Sequence, residues 1–306
     1  MVVKTKFSDN DLKSILANYS LGNLIKQLPF SQGAVQTNIL LEATTGKYVF
    51  KYYENRTENY AKCEIEILRF LEEKSFPSSV PVKMNDGGFI GMFNNKPYSI
   101  FKYIEGKSNQ DVELSEIVKM IGRLHQVSEN FRPRFSEYRD RYDPALCLAN
   151  AEKNAMKLES KSVREKRLNW LSGKLEGMQS ISDLPKGICH LDCHPTNYLV
   201  NNGEVIALID FDDSNYLPFL YDMASIIYFW AWPHRGVLIF EKVFLILSEY
   251  EKYRILQYIE KWHLFDFLKL MIFMSVGWNI HVDEDFEAEK NKIEIFGLFW
   301  KRKIFG

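Results

Sequence analysis

The chain has 306 residues, 46% of them hydrophobic and 26% charged, which suffices for one large core or two lobes. Its 39 basic and 40 acidic residues leave a net charge of −1, which gives no basis for broad attraction to nucleic acid or to a membrane surface. The most apolar tracts, Leu220–Trp232 and Phe265–Ile280, are interrupted by Asp222, Asp266 and Lys269 and fall short of a membrane span.

The N-terminal stretch MVVKTKFSDNDLKS holds no secretory-type apolar run, so a cytoplasmic protein is expected. The four cysteines, Cys63, Cys147, Cys189 and Cys193, then read as reduced thiols. There is no internal repeat. Ser8 followed by Asp11 marks a helix start, with Leu12, Ile15, Leu16 and Tyr19 at helical spacing. Ile39–Leu41 and Tyr48–Phe50, separated by Thr44-Thr45-Gly46, predict a β-hairpin. A helix over Glu58–Lys74 follows, then short strands near Val80–Val82, Phe89–Met92 and Tyr98–Tyr103, with turns at Asp86-Gly87-Gly88 and Asn94-Asn95. Beyond Gly106 the pattern is mainly helical. Leu114, Ile117, Val118, Ile121, Leu124 and His125 share one helix face, and helices are expected over Ala151–Glu176 and Tyr228–Leu270. The expected fold is α+β: an antiparallel β-sheet with one key helix over residues 1–104, and a larger, mainly helical part over 105–306.

The chemistry concentrates in Cys189–Tyr221, CHLDCHPTNYLVNNGEVIALIDFDDSNYLPFLY. Tyr198–Val200 and Val205–Ile209 flank Asn201-Asn202-Gly203-Glu204, residues that tolerate the positive φ of a tight turn, so a second hairpin is predicted. Its open end brings Asn197 beside Asp210, and Asp192 lies on the loop just before. An amide and a carboxylate oxygen suit Mg2+, which binds few protein groups and keeps water and phosphate as its other ligands. A further carboxylate could orient a hydroxyl and accept its proton, as phosphoryl transfer requires. The alternative is that these are ordinary loop and turn residues. A second alternative makes Cys189, His190, Asp192, Cys193 and His194 zinc ligands, although all crowd one short run with no second ligand pair elsewhere.

The pattern His190-x-Asp192-x-His194-Pro195-x-Asn197, followed by Ile209-Asp210-Phe211-Asp212-Asp213 and Tyr221-Asp222-Met223-Ala224, resembles the aminoglycoside phosphotransferase and choline kinase superfamily. The stretch IDFDDSNYLPFLYDMA is most similar to homoserine kinase-like members. The resemblance, which spans roughly residues 28 to 228, implies a bilobal protein-kinase-like fold and an ATP- and Mg2+-dependent kinase, with GTP as donor left open. It implies Asp192 as catalytic base, Asn197 and Asp210 as magnesium ligands, His190 as organiser of the catalytic loop and Asp222 as its buttress.

The front half adds to this. Lys51 ends the apolar strand Tyr48–Phe50, and Glu64 falls on the apolar face of the helix set by Tyr60, Cys63, Ile67, Leu68 and Leu71. Each charge is costly alone and acceptable as a pair. In kinase-like enzymes such a pair holds the lysine against nucleotide phosphates; otherwise the two are an unrelated strand lysine and surface glutamate. The loop Ser31–Asn38, with the single Gly33, sits where the nucleotide loop belongs but is not G-x-G-x-x-G, which counts against a protein kinase. Phe101–Gly106 matches the inter-lobe hinge, where the backbone of Lys102 and Ile104 is expected to meet adenine; a plain linker is the other reading. Leu191 and Thr196 stand where relatives commonly have glycine, and altered packing is expected there.

The resemblance implies as acceptor a small hydroxylated molecule, an amine-bearing alcohol such as homoserine or choline, with aminoglycosides as the alternative and a non-catalytic nucleotide-binding protein as the remote one. Trp230, Trp232, Trp262, Trp278 and the acidic run Asp283–Glu287 could hold a cation, or else fill a core and face solvent. The sequence assigns no oligomeric state.

Overall fold

The computed structural model describes residues 4–30, 35–108, 112–140, 142–176, 178, 183–233 and 236–296. They form two compact units, one of residues 1–112, 132–139 and 195–215, the other of 113–131, 140–194 and 216–306. In chain order come α1 (Asp9–Leu16), β1 (Leu24–Pro29), β2 (Thr37–Ala43), β3 (Gly46–Tyr52), α2 (Glu58–Glu73), β4 (Gly91–Phe93) and β5 (Lys96–Lys102). Next are α3 (Leu114–Ser128), α4 (Pro144–Ala155), α5 (Lys161–Leu175), β6 (Lys186–Cys189), β7 (Tyr198–Asn201), β8 (Glu204–Leu208) and β9 (Asn215–Pro218). Last are α6 (Leu220–Ile226), a π-helical turn at Ile227–Ala231, α7 (Phe240–Tyr250), α8 (Tyr258–Asn279) and α9 (Asp283–Phe296).

The first unit is built on an antiparallel sheet of order β1-β2-β3-β5-β4. Alternation along β2 buries Thr37, Ile39, Leu41 and Ala43 on one face. Ile39, Leu41, Phe50, Tyr52, Tyr98 and Ile100 join Leu12, Ile15 and Leu16 of α1 in one core. α1 starts as expected: the Ser8 hydroxyl accepts from the Asp11 N–H, and the Asp11 carboxylate accepts the Ser8 N–H at 2.8 Å. Because successive strand residues face opposite ways, Phe50 and Tyr52 enter that core while Lys51 between them turns to α2.

The predicted second hairpin forms from β7 and β8, with Asn202 at φ 51° and Gly203 at φ 82° in its turn. It is stitched to the sheet segments by Leu208 N–H donating to Pro77 C=O (3.0 Å) and Val200 N–H donating to Lys107 C=O (2.8 Å). Gly106 permits that approach, since a Cβ there would lie 3.1 Å from Leu199 Cβ.

In the second unit, α8 packs against α4, α6 and α9, and is buried around much of its girth, as a central helix must be. No helix among the described residues is long and apolar enough to cross a membrane.

The helical stretch expected over Ala151–Glu176 is divided: α4 ends at Ala155, and Ser160 caps a separate α5 through the Val163 N–H. Of the short strand expected near Val80–Val82 there is one bridge, Pro81 to Phe101, held by Val82 N–H donating to Ile100 C=O at 2.7 Å and Lys102 N–H donating to Val80 C=O at 2.9 Å.

The two kinds of contact at α1 predict different costs. Ser8→Ala, which removes the cap, should lower stability by about 1 kcal/mol, and Leu12→Ala, at a fully buried site, by about 2–5 kcal/mol. Urea titration of both variants checks this, and equal losses would contradict it.

Candidate active site

Lys51 is the centre of a charge cluster within the first unit. Its ammonium, on a side chain only 6% exposed, lies 2.9 Å from Glu64 Oε1, 3.2 Å from Asp210 Oδ1 and 3.6 Å from Asp212 Oδ1. Helical phase puts Glu64 on the buried face of α2, as expected from the sequence, and its other oxygen accepts from the Tyr53 hydroxyl at 2.8 Å. Burial alone would lower the Lys51 pKa, but Glu64, Asp212 and Asp210 overcome it and hold the pKa well above the usual lysine value. Burial, reinforced by Glu64, raises the Tyr53 pKa, so its hydroxyl stays a donor.

Asp210 lies two residues past the end of β8 at Leu208. Ile209 N–H donates to Asn197 C=O at 2.9 Å, closing the hairpin mouth so that Asn197 and Asp210 flank that bond. Asp210 adopts φ 64°, ψ 62°, a left-handed conformation that aspartate tolerates better than most residues and that often marks a functional site. Its side chain is 45% exposed, in contrast to the buried Lys51.

Asp212, two residues on, was not assigned a role from the sequence. It is buried and accepts from Gln36 Nε2 at 3.0 Å, while Arg56 lies 3.5 Å away and also pairs with Asp213 at 2.8 Å. Arg139 donates to the Asp212 carbonyl, and both guanidinium groups stack 4.1 Å from the Tyr60 ring centre. Burial would raise the Asp212 pKa, but Lys51, Arg56, the Gln36 hydrogen bond and Arg139 bring it below the usual carboxylate value. The paired acids in IDFDD were the available signal; Arg56, Gln36 and Arg139 left none, since each reaches the cluster from a loop.

The donor chemistry fits Mg2+. Asp210 and Asn197 offer hard oxygens, and Asp212 Oδ1 is buried with no hydrogen-bond donor among the described residues. Gly33 lies outside the described residues. Lys102 ends β5 with its N–H donated to Val80 C=O at 2.9 Å, so only its carbonyl can serve adenine; Ile104 follows in an irregular segment.

Asp192 belongs to the second unit, on the loop after β6. Both peptide groups flanking it are pinned by one buried hydroxyl: Ser225 Oγ donates to Leu191 C=O (3.2 Å) and accepts the Cys193 N–H (3.0 Å). Asp222 accepts the His190 N–H at 2.8 Å and the Leu191 N–H at 2.7 Å. Leu191 itself sits at φ 73°, the left-handed region where a leucine is strained, which explains why glycine suits this position; these bonds hold it there. No pattern in the sequence points to Ser225.

His125 is buried, as expected of a core residue, but its ring also bonds Asp222 Oδ2 at 3.0 Å and the Tyr250 hydroxyl at 2.7 Å. Of the alternative zinc set, only Cys189 enters a close group of possible ligands among the described residues, with His125 and Asp222. Cys189 Sγ faces the carbonyls of Leu217 and Pro218, and both Asp222 oxygens accept N–H groups, so these atoms serve the loop. All four cysteines are buried thiols. Trp232 is buried, whereas Trp262 and Trp278 are exposed and Asp283 pairs with Arg167 at the start of α9.

Comparison with known proteins gives the family and the fold. A model of the phosphotransferase enzyme family matches residues 26–256, and the chain belongs to that family as a small-molecule kinase. It is 26% identical over 235 residues to a homoserine kinase of Chelativorans sp. (strain BNC1), covering 76% of this chain and 72% of that one. A homoserine kinase of Rhodospirillum rubrum is 26% identical over 271 residues, 83% of this chain and 79% of the relative. Among solved structures, an amicoumacin kinase with AMP-PNP and Ca2+ shares the fold at TM-score 0.70 and 19% identity, with 92% of each chain covered. A microcompartment-associated aminopropanol kinase does so at TM-score 0.70 and 17% identity, with 94% of each covered.

Burial lowers the His125 pKa from its usual 6.5, against the opposing pull of Asp222. A base with a depressed folded pKa stabilises fully above its unfolded value and loses that contribution as the pH falls through the folded one. Stability should therefore drop as pH falls below about 6.5, and His125→Gln should lack this part of the slope. Urea midpoints of both proteins across that window measure it; parallel curves would refute it.

Proposed function

We propose that the protein transfers the γ-phosphoryl group of ATP to the hydroxyl of a small amine-bearing alcohol, such as homoserine or choline, with Mg2+ as cofactor. The observation that carries this reading is the buried Lys51 ammonium, shared by Glu64, Asp210 and Asp212. A buried cation facing a half-exposed carboxylate suits the phosphates of a metal–nucleotide complex. The names of the homoserine kinase and aminopropanol kinase relatives support the acceptor class.

In this reading Lys51 binds the α- and β-phosphates and Glu64 fixes its position. Asn197 and Asp210 hold Mg2+, which when bound supplies charge neutralisation on the phosphates. Lys102 and Ile104 contact adenine and Gly33 belongs to the loop over the phosphates. Asp192 accepts the proton of the acceptor hydroxyl as its oxygen bonds to the γ-phosphorus and the bond to the β,γ-bridging oxygen breaks, releasing ADP. Ser225 and Asp222 contribute by holding the peptide groups around Asp192 and so fixing its reach.

A Mg2+-dependent ATP-consumption screen over hydroxylated amines, amino acids, sugars and aminoglycosides tests the reaction. Asp192→Asn should abolish turnover and leave ATP affinity nearly intact; wild-type rates in that variant would remove Asp192 as the base. Ser225→Ala should lower kcat about 10-fold or more with ATP KM little changed, and an unaltered kcat would show that the hydroxyl does not position the loop.

A further inference from the structure

Arg139, in the first unit, is only 4% exposed, and no carboxylate among the described residues lies within ion-pair distance of its guanidinium. Nη1 donates to the Asp212 carbonyl, whereas Nε and Nη2 have no hydrogen-bond partner among the described residues. The Cys63 thiol of α2 lies beside the group, a weak partner at best. A desolvated guanidinium with two idle nitrogens is unfavourable, and an apolar side chain of similar length would fill the space at lower cost. The hydrogen bond to Asp212 C=O is therefore the informative contact.

That carbonyl belongs to the single 3-10 turn Phe211–Asp213, which Asp210 opens in its left-handed conformation at φ 64°. Such a conformation persists only where the surroundings enforce it. Within the turn the Ser214 N–H donates to Phe211 C=O at 3.2 Å, and Arg139 grips the turn from outside. The chain leading to Arg139 is itself anchored on α2, where the N–H and Nε of Arg134 both donate to Glu66 at 2.9 Å. The Arg139 guanidinium lies 4.1 Å from the ring centre of Tyr60, one helical turn before Glu64. It thus spans the two pieces that carry Glu64 and Asp210 to Lys51. Arg56 is equally close to the ring but serves the carboxylates of Asp212 and Asp213, so it does not duplicate the bond to the backbone.

We propose that Arg139 is a positioning residue for the metal–nucleotide site: by holding the Asp212 carbonyl beside Tyr60 of α2, it keeps Asp210 in the backbone conformation in which its carboxylate serves Lys51 and Mg2+ together. This rests on the reading of Asp210 as a magnesium ligand. The role has a sign that charge alone would reverse. A cation near a metal site repels Mg2+, so if only the charge of Arg139 mattered, removing it would tighten metal binding. If the hydrogen bond to the turn matters, removing it loosens the ligand and weakens metal binding. A purely structural role predicts a third pattern, lost stability with unchanged metal dependence.

The test is calorimetric titration of the full-length protein with ADP, once with Mg2+ and once with EDTA, so that the ratio of the two Kd values reads the metal's contribution without turnover. Arg139→Met should lower that ratio by about 10-fold or more, the scale of losing a group that orients a metal ligand, with the Kd in EDTA little changed. Its urea midpoint should be no lower than that of the wild type, since a poorly paired buried cation is replaced by an apolar chain. Arg139→Lys, which can still reach the carbonyl, should shift the ratio in the same direction by less, and covers the case in which Arg139→Met fails to fold. Combining Arg139→Met with Asp210→Asn should give no further loss beyond Asp210→Asn alone, because the arginine acts through that carboxylate. A ratio in Arg139→Met equal to or above that of the wild type, or a further 10-fold loss in the double variant, overturns the proposal. If the ratio is unchanged in Arg139→Met but collapses in Asp210→Asn, Arg139 has no positioning role and the metal site stands. A wild-type ratio in Asp210→Asn overturns the metal assignment and the role of Arg139 with it.

Discussion

An ammonium group taken out of water is tolerated only where carboxylates surround it, and that constraint organises the first unit. Lys51 cannot stand alone on the inner side of β3, because an isolated buried charge costs several kcal/mol. Glu64 answers it from α2, Asp210 and Asp212 from the turn after β8. Three stretches far apart in sequence are thereby tied to one nitrogen atom. The ties are reinforced by Tyr53 on Glu64 and by Gln36 and Arg56 on Asp212. Breaking one side of such a pair is expensive, which favours a single arrangement of strand, helix and turn.

The second unit solves a different problem: holding a loop in a conformation its side chains do not favour. Leu191 is left-handed at φ 73°, which costs about 1–2 kcal/mol for a non-glycine residue. Asp222 and Ser225, one turn apart on α6, take up the peptide groups from His190 to Cys193. His125, Tyr250 and the surrounding apolar residues keep Asp222 dry and oriented. A residue whose neighbouring peptides are bonded on both sides has little freedom in its backbone, and Asp192 is such a residue. Preorganisation of this sort is what phosphoryl transfer asks of a protein, since the reaction needs position and charge more than covalent help.

Much of this was legible because it rests on periodicity or on turn chemistry. The Ser8 cap, the hairpin around Asn202-Gly203 and the inward phase of Glu64 follow from local pattern, and each is found where expected. The network around Asp212 was not legible, because Gln36, Arg56 and Arg139 approach from irregular segments and their spacing encodes nothing. Ser225 was hidden for another reason: on an apolar helix a serine reads as filler, and only the folded loop shows what its hydroxyl meets. The break between α4 and α5 was masked by charged residues on both sides, although Ser160 is a fair cap signal in hindsight. The π turn at Ile227–Ala231 has no sequence signature, being a shift of hydrogen-bond register within an otherwise helical run.

If Lys51 binds nucleotide phosphates as proposed, Glu64 should act on them only through that lysine, its partner at 2.9 Å. A double-mutant cycle with Lys51→Met and Glu64→Gln, read as kcat/KM for ATP, tests it most directly. Strong non-additivity is expected, with the double variant no worse than Lys51→Met alone. Losses that multiply would contradict it, because they would mean that the glutamate and the lysine serve the reaction independently.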